Sequence, residues 1–278
     1  MQPWLLPSLA ALVIWSVQRV VSKAALQTLS TPQFYLLSAA VALPIYLPML
    51  AIDQPPASAF PGALGVSALM ALAFGVTTEA IRRGPLGRVS PITGLSPALT
   101  AVLALGFLGE RPGPPAAIGI VVATGAVVLL AYRSGERRGD RRWSGLAVAS
   151  LCLQGLGAFL AKVAVTPAGP TALLVTSAAV QLVVGVALVR RTKSTLPGLR
   201  SPLMRLTVGV LALAAVATIG YLWALSKGPA SVIVPLVATS PALAGLVGAV
   251  ILREPTPIPQ WVGIALGLLG AVLLALPR

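Results

Sequence analysis

Six carboxylates, one cysteine and no histidine are a thin supply for acid–base, nucleophilic or metal chemistry in a chain of 278 residues. The carboxylates are Asp53, Glu79, Glu110, Glu136, Asp140 and Glu254. Catalysis needs a nucleophile beside a base, a metal cluster or paired acids, and these residues assemble none of them. Cys152 stands alone, which excludes an internal disulfide and a cysteine-rich metal site. The residues therefore point away from an enzyme, and neither a metal nor a cofactor is expected. Glu79 precedes Arg82 and Arg83 by three and four residues, the spacing of a helical ion pair.

Other side chains suit binding rather than catalysis. Trp15, Gln18, Arg19 and Ser22 follow the i, i+3, i+4, i+7 spacing and share one helical face. Hydroxyl, amide and aromatic groups recur at Phe74, Thr77, Thr78, Thr93, Ser96, Gln154, Thr218, Tyr221, Thr239 and Ser240. Together these fourteen side chains are the candidate lining for a small polar organic molecule; the alternative is ordinary packing between helices.

The elements that position them are set by composition. Hydrophobic residues make up 57 % of the chain and charged residues 9 %, against about 25 % charged in a soluble domain. Cutting the sequence at its charges leaves ten uncharged stretches of 18 or more residues: 1–18, 24–52, 54–78, 89–109, 112–132, 143–161, 163–189, 206–226, 228–252 and 255–277. About 18–20 such residues cross a bilayer as a helix. Runs such as ALGVSALMALAFGV are apolar all round, unlike the alternating strands of a membrane barrel, so the expected fold is all-α and polytopic. MQPWLLPSLAALVIW has no basic start and leads directly into the first span, so no cleaved signal is expected. The net charge of +14 comes from cations placed mostly between spans. That is membrane topology rather than a nucleic-acid surface.

The sequence also repeats itself. SPALTAVLALGFLGE at 96–110 returns as SPALAGLVGAVILRE at 240–254. The same offset of 144 relates Gly84-Pro85 to Gly228-Pro229, Pro91 to Pro235, Pro97 to Pro241, Gly119 to Gly263 and VLLA at 128–131 to VLLA at 272–275. Nearer each start the offset is 139, relating Trp4 to Trp143, Lys23 to Lys162 and SAAV at 38–41 to SAAV at 177–180. The expected organisation is a five-helix repeat over 1–132, a charged linker over 133–142 and a second five-helix repeat over 143–278. Five is odd, so the second repeat enters the membrane from the opposite side. Secondary transporters use this inverted architecture, with the site between the halves.

With VIWS in the first helix, the fourth-helix lines PALTAVLALGFLGE and PALAGLVGAVILRE, and a glycine-bearing fifth helix ending in VLLA, the chain resembles the EamA-type drug/metabolite transporters along essentially its whole length. The resemblance implies ten helices and transport, without naming a cargo. Two departures stand out. TPQFYLLSAAV, early in the second helix, lacks the Arg of many members, and the first span carries Arg19 and Lys23.

The expected function is a secondary transporter moving a small organic metabolite, amino-acid-like or an organic anion, across the cell (inner) membrane by alternating access. The competing reading is a proton-coupled exporter of lipophilic cations acting through Glu79. Partners are the substrate and the lipid bilayer, with no nucleic acid; monomer and homodimer both remain open. Pro91, Pro97, Pro235 and Pro241 are expected to kink the fourth and ninth helices. Glu110 and Glu254 are expected to cap the helix starts that follow them, in ERPGPP and REPTPIP, or to latch a gate on each face. Lys23, Arg83, Lys162 and Lys227 are candidate mouth cations that would attract an anionic cargo; the alternative is that they snorkel to headgroups.

Orientation follows from the cations. Sixteen of the 20 Lys and Arg fall in or beside the linkers after odd-numbered spans, and only Arg111, Lys162, Lys227 and Arg278 lie on the other side. The positive-inside rule puts both termini outside. A C-terminal tag should accordingly be reached by a membrane-impermeant reagent in intact cells; protection until the membrane is opened would reverse the assignment.

Overall fold

The computed structural model describes residues 2–83, 89, 92–130, 142–193, 201–250 and 258–276. Among these every regular element is a helix. The first repeat holds α1 (Leu5–Ala25), α2 (Thr31–Tyr46), α3 (Met49–Asp53), α4 (Ala59–Arg83), α5 (Ser96–Phe107) and α6 (Pro114–Leu130). The second holds α7 (Arg142–Ala168), α8 (Thr171–Thr192), α9 (Pro202–Lys227), α10 (Ala230–Ala238), α11 (Ser240–Val250) and α12 (Ile258–Ala275). Two elements sharing one path count as one crossing: α2 with α3, and α10 with α11. The chain thus makes ten membrane helices in two inverted five-helix repeats. The face bearing the chain start is called the terminal face below, and the other the distal face.

Local chemistry explains the helix starts. Ser30 and Gln33 form a capping box on α2, in which the Ser30 N–H donates to Gln33 Oε1 at 2.8 Å, and Pro32 sits in the first turn, where no N–H is required. Ser201 Oγ accepts from Met204 N at 3.1 Å at the start of α9. Eight helical stretches are long and apolar enough to cross a membrane; Ser96–Phe107 and Pro114–Leu130 are shorter. The first of these is short because the fourth crossing breaks just before Ser96.

Packing between the repeats follows a two-fold pattern. The α4–α7 contact is mirrored by α1–α9, and α5–α7 by α1 against α10 and α11. The pairs α6–α12, α2–α8 and α5–α10 lie on the symmetry axis. Small residues permit the closest of these approaches. A Cβ at Gly119 would lie 2.9 Å from Leu274 Cγ, and one at Gly263 would lie 2.9 Å from Leu130 N. The two glycines and the two leucines are each 144 residues apart, so the duplicated sequence makes the same joint twice. Outward from these joints, Phe107, Val121, Val183 and Val272 stay exposed, as lipid-facing side chains do.

The core is unevenly placed. Trp4, Val165, Leu173, Leu174, Leu222, Leu225 and the whole of Val232–Val237 are buried in one large cluster toward the terminal face. Among the described residues the distal face has two further clusters, one of Ala25, Leu29 and Met204 and one of Ala80, Val89 and Ala147.

The α6–α12 joint generates a prediction. A Cβ at Gly270 would stand 2.9 Å from Ala123 N, which is backbone and cannot swing aside. Gly270→Val should cost about 1–3 kcal/mol by overpacking. Gly125→Ala, where nothing lies within 4 Å of the added Cβ, should change stability by less than ~0.5 kcal/mol. Thermal unfolding of the purified protein in detergent measures both, and equal midpoints for the two variants would contradict the joint.

Candidate functional site

Two crossings are broken at the same register. In the fourth, a turn at Gly94–Leu95 separates residues 92–93 from α5. In the ninth, Thr239 separates α10 from α11. The turn hydrogen bonds repeat at offset 144: Leu95 N to Ile92 O and Thr239 N to Leu236 O, each 3.2 Å, then Ala98 N to Leu95 O at 3.0 Å and Ala242 N to Thr239 O at 2.8 Å. Pro97 and Pro241 follow each break. Neither has an N–H for the preceding turn, so the ladder cannot run through. Pro235 is instead buried inside α10, and Pro91 lies outside the described residues.

The breaks border a cavity of about 370 Å³. Thr93, Gly94, Ser96 and Pro97 line it from the fourth crossing, Ala238 and Pro241 from the ninth, Gln154 from α7 and Arg19 from α1. Arg19 Nε donates to Ser240 Oγ at 3.2 Å, while Ser16 Oγ donates to Ser240 O at 3.0 Å. Among the described residues the guanidinium has no carboxylate partner. The helices α5 and α11 start at this cavity and run toward opposite faces, so two positive helix ends meet beside a fixed cation.

Gln154 also lines a second cavity, of about 340 Å³. Its Nε2 donates to Thr77 Oγ1 at 3.1 Å and to Ser150 Oγ at 2.9 Å, and those two hydroxyls bond to each other at 2.6 Å. Across this space Tyr35 and Phe74 stack with centroids 4.4 Å apart and planes 17° apart. Ser67, Met70, Ser177 and Gln181 complete the polar wall. Arg19 in turn borders a third space, an open groove of about 580 Å³ with Trp15, Gln18, Ser22 and Leu26, which follows α1 toward the distal face. Gln154 and Arg19 are therefore the shared walls of three adjoining spaces.

Some expected residues point elsewhere. Thr78 is exposed, and its hydroxyl donates to Phe74 O at 2.9 Å on its own helix. Thr218 donates to Ala214 O at 2.9 Å on its own helix. Tyr221 packs on Trp15, centroids 5.2 Å apart and tilted at 57°. Thr239 turns its hydroxyl back to Leu236 O at 2.7 Å. Tyr35, Ser67, Ser150, Ser177 and Gln181 were not anticipated. The repeat did carry a signal for one of them, since SAAV at 177–180 places Ser177 in register with Ser38, which accepts from Gln181 Nε2 at 3.1 Å. Nothing in the sequence brings Tyr35 to Phe74.

A fourth cavity, of about 540 Å³, opens at the terminal face beside Glu110, Lys162, Thr166, Lys227 and Gly228. Lys227 is exposed there. Lys162 does not reach for headgroups; its Nζ donates to Leu225 O at 2.7 Å and to Gly228 O at 2.8 Å. Glu110 corrects an expectation, because it caps α10 of the other repeat rather than the helix that follows it. It accepts from Ala230 N and Ser231 N, both at 2.8 Å, and from Ser231 Oγ at 2.5 Å. The helix that follows begins with Pro114-Pro115, which have no N–H to offer. Asp53 ends α3 and accepts from Thr171 Oγ1. Arg83 pairs with Glu79 at 2.5 Å. The Lys23 side chain and Glu254 lie outside the described residues.

Comparison with known proteins agrees with this fold. The model of the EamA-like transporter family matches residues 2–132 and again 141–276. A solved crystal structure, 16 % identical, shares the fold over 97 % of this chain and 95 % of its own, with a TM-score of 0.76. No curated protein matches the sequence. With both repeats matched by the same family model, the chain belongs to the EamA-like transporter family and is a multi-pass membrane transporter, not an enzyme.

Proposed function

We propose that the protein is a secondary transporter that moves a small organic metabolite, amino-acid-like or an organic anion, by alternating access between its repeats. One observation carries the reading: two half-helix N-termini and the Arg19 guanidinium converge on the cavity at the helix breaks. A guanidinium stays charged at any accessible pH, and Arg19 presents that charge to the two spaces it borders with no carboxylate partner among the described residues. A carboxylate or phosphate on the cargo supplies that partner. Thr93, Ser96 and Gln154 offer hydroxyl and amide groups to the rest of the molecule, and the stacked Tyr35 and Phe74 offer an apolar wall beyond Gln154.

The remaining parts fit this scheme. The positive-inside rule puts the distal face in the cytoplasm of the inner membrane, so the groove along α1 is the cytoplasmic approach. Repeats over 1–132 and 143–278, joined by 133–142, are the two moving units. Lys162 and Lys227 give the terminal mouth a positive field, although the Lys162 ammonium is also tied to backbone carbonyls. The cation-exporter alternative draws no support from Glu79. Its carboxylate is paired with Arg83, near the end of α4, and Arg19 would repel a cationic cargo.

Uptake into proteoliposomes, tested over amino acids, organic anions and cationic dyes with and without a pH gradient, decides between these readings. The expected cargo is an anion or zwitterion, and Arg19→Gln should reduce its uptake roughly tenfold, the scale of a hydrogen bond to a charged group. Arg19→Lys should retain part of the rate. Proton-driven uptake of the dyes, unchanged in Arg19→Gln, would sink the proposal.

A further inference from the structure

The turn from α9 to α10 is gripped by two opposite charges from other helices. Lys162 on α7 donates to the Leu225 and Gly228 carbonyls, at the end of α9. Glu110, beyond the end of α5, accepts the first amides of α10 and the Ser231 hydroxyl. Helix ends leave such carbonyls and amides unpaired, and each charge has the sign that its helix end attracts. Trp4, at the start of α1, lies so close over Gly228 that no Cβ fits there. Three helices thus meet on one short turn, and the Glu110 bonds cross from one repeat to the other.

The position of this turn gives it a consequence for transport. Beneath it lies the buried terminal core, and beyond the core the cavity at the helix breaks. The packing of α5 against α10 runs along this route. A passage from the cavity to the terminal face must part α5 from α10, and parting them breaks the three hydrogen bonds that the Glu110 carboxylate accepts.

We infer that Glu110 and Lys162 are the positioning residues of the terminal-face gate, holding it closed and releasing the α9–α10 turn when that face opens. The inference rests on the alternating-access reading above.

Site-directed labelling tests this without a known substrate. In the full-length chain with Cys152→Ala, the buried Val165 of the terminal core is replaced, Val165→Cys. A membrane-impermeant maleimide is then applied from the terminal face, in whichever of spheroplasts or inverted vesicles exposes a C-terminal tag. Glu110→Gln should raise the labelling rate on the order of tenfold, and Ser231→Ala by several-fold, the scale of hydrogen bonds to a charged group. Lys162→Met should raise the rate and Lys162→Arg should restore it. Thr166→Ala, which lines the same cavity but donates only within its own helix, should leave it unchanged. If Glu110→Gln does not fold, Ser231→Ala carries the test, since it keeps the carboxylate and both backbone amides. Unchanged labelling in folded Ser231→Ala and Lys162→Met overturns the gate. Absence of uptake across the cargo panel, with the labelling shifts present, overturns the transport reading and leaves the gate standing.

Discussion

Inside a bilayer no water is available to satisfy a free backbone amide or carbonyl, and much of this structure depends on how it meets that constraint. Unbroken helices satisfy themselves. This chain nevertheless breaks two crossings, at Gly94–Leu95 and at Thr239, and ends α9 in a turn packed under Trp4. At two of these places a polar side chain from another helix stands in for water: Ser16 reaches the Ser240 carbonyl at the ninth-crossing break, and Lys162 and Glu110 serve the α9–α10 turn. The break in the ninth crossing also borders the cavity.

Arg19 is the exception that gives the cavity its character. Its guanidinium carries a full charge, yet among the described residues its bond is to a single serine hydroxyl. The N-terminal ends of α5 and α11 add to that charge, and the C-terminal end of α10, which borders the cavity at Ala238, offsets part of it. A cavity so lined is electrostatically incomplete when empty, which distinguishes it from the terminal mouth, where Lys162 and Glu110 are both satisfied by backbone groups.

The two repeats show how nearly equal sequences come to unequal ends. Their glycine joints, helix breaks and turn hydrogen bonds repeat at a fixed offset, yet single positions differ: Ser231 donates to Glu110 where the other repeat carries Gly87 in its sequence.

Much of this architecture was legible beforehand. Stretches of 18 or more uncharged residues determine membrane helices because any alternative leaves backbone groups unpaired in lipid. The 144-residue echo of Pro97 and Glu110 determines duplication, and an odd count per half determines inversion. Proline chemistry offered four candidate kinks, and the breaks precede Pro97 and Pro241, while Pro235 stays inside α10 and Pro91 lies outside the described residues. Only the tertiary structure decided which helices meet. Tyr35 lies on Phe74, and Gln181 on Ser38, because α2 packs against α8 and α4 against both α7 and α8, contacts between segments that local periodicity cannot relate. Glu110 is the sharpest case. Sequence proximity assigned it to the next helix, but that helix begins with two prolines, and a carboxylate needs an N–H. The nearest unpaired amides belonged to a helix 120 residues away, brought there by the packing of one repeat on the other.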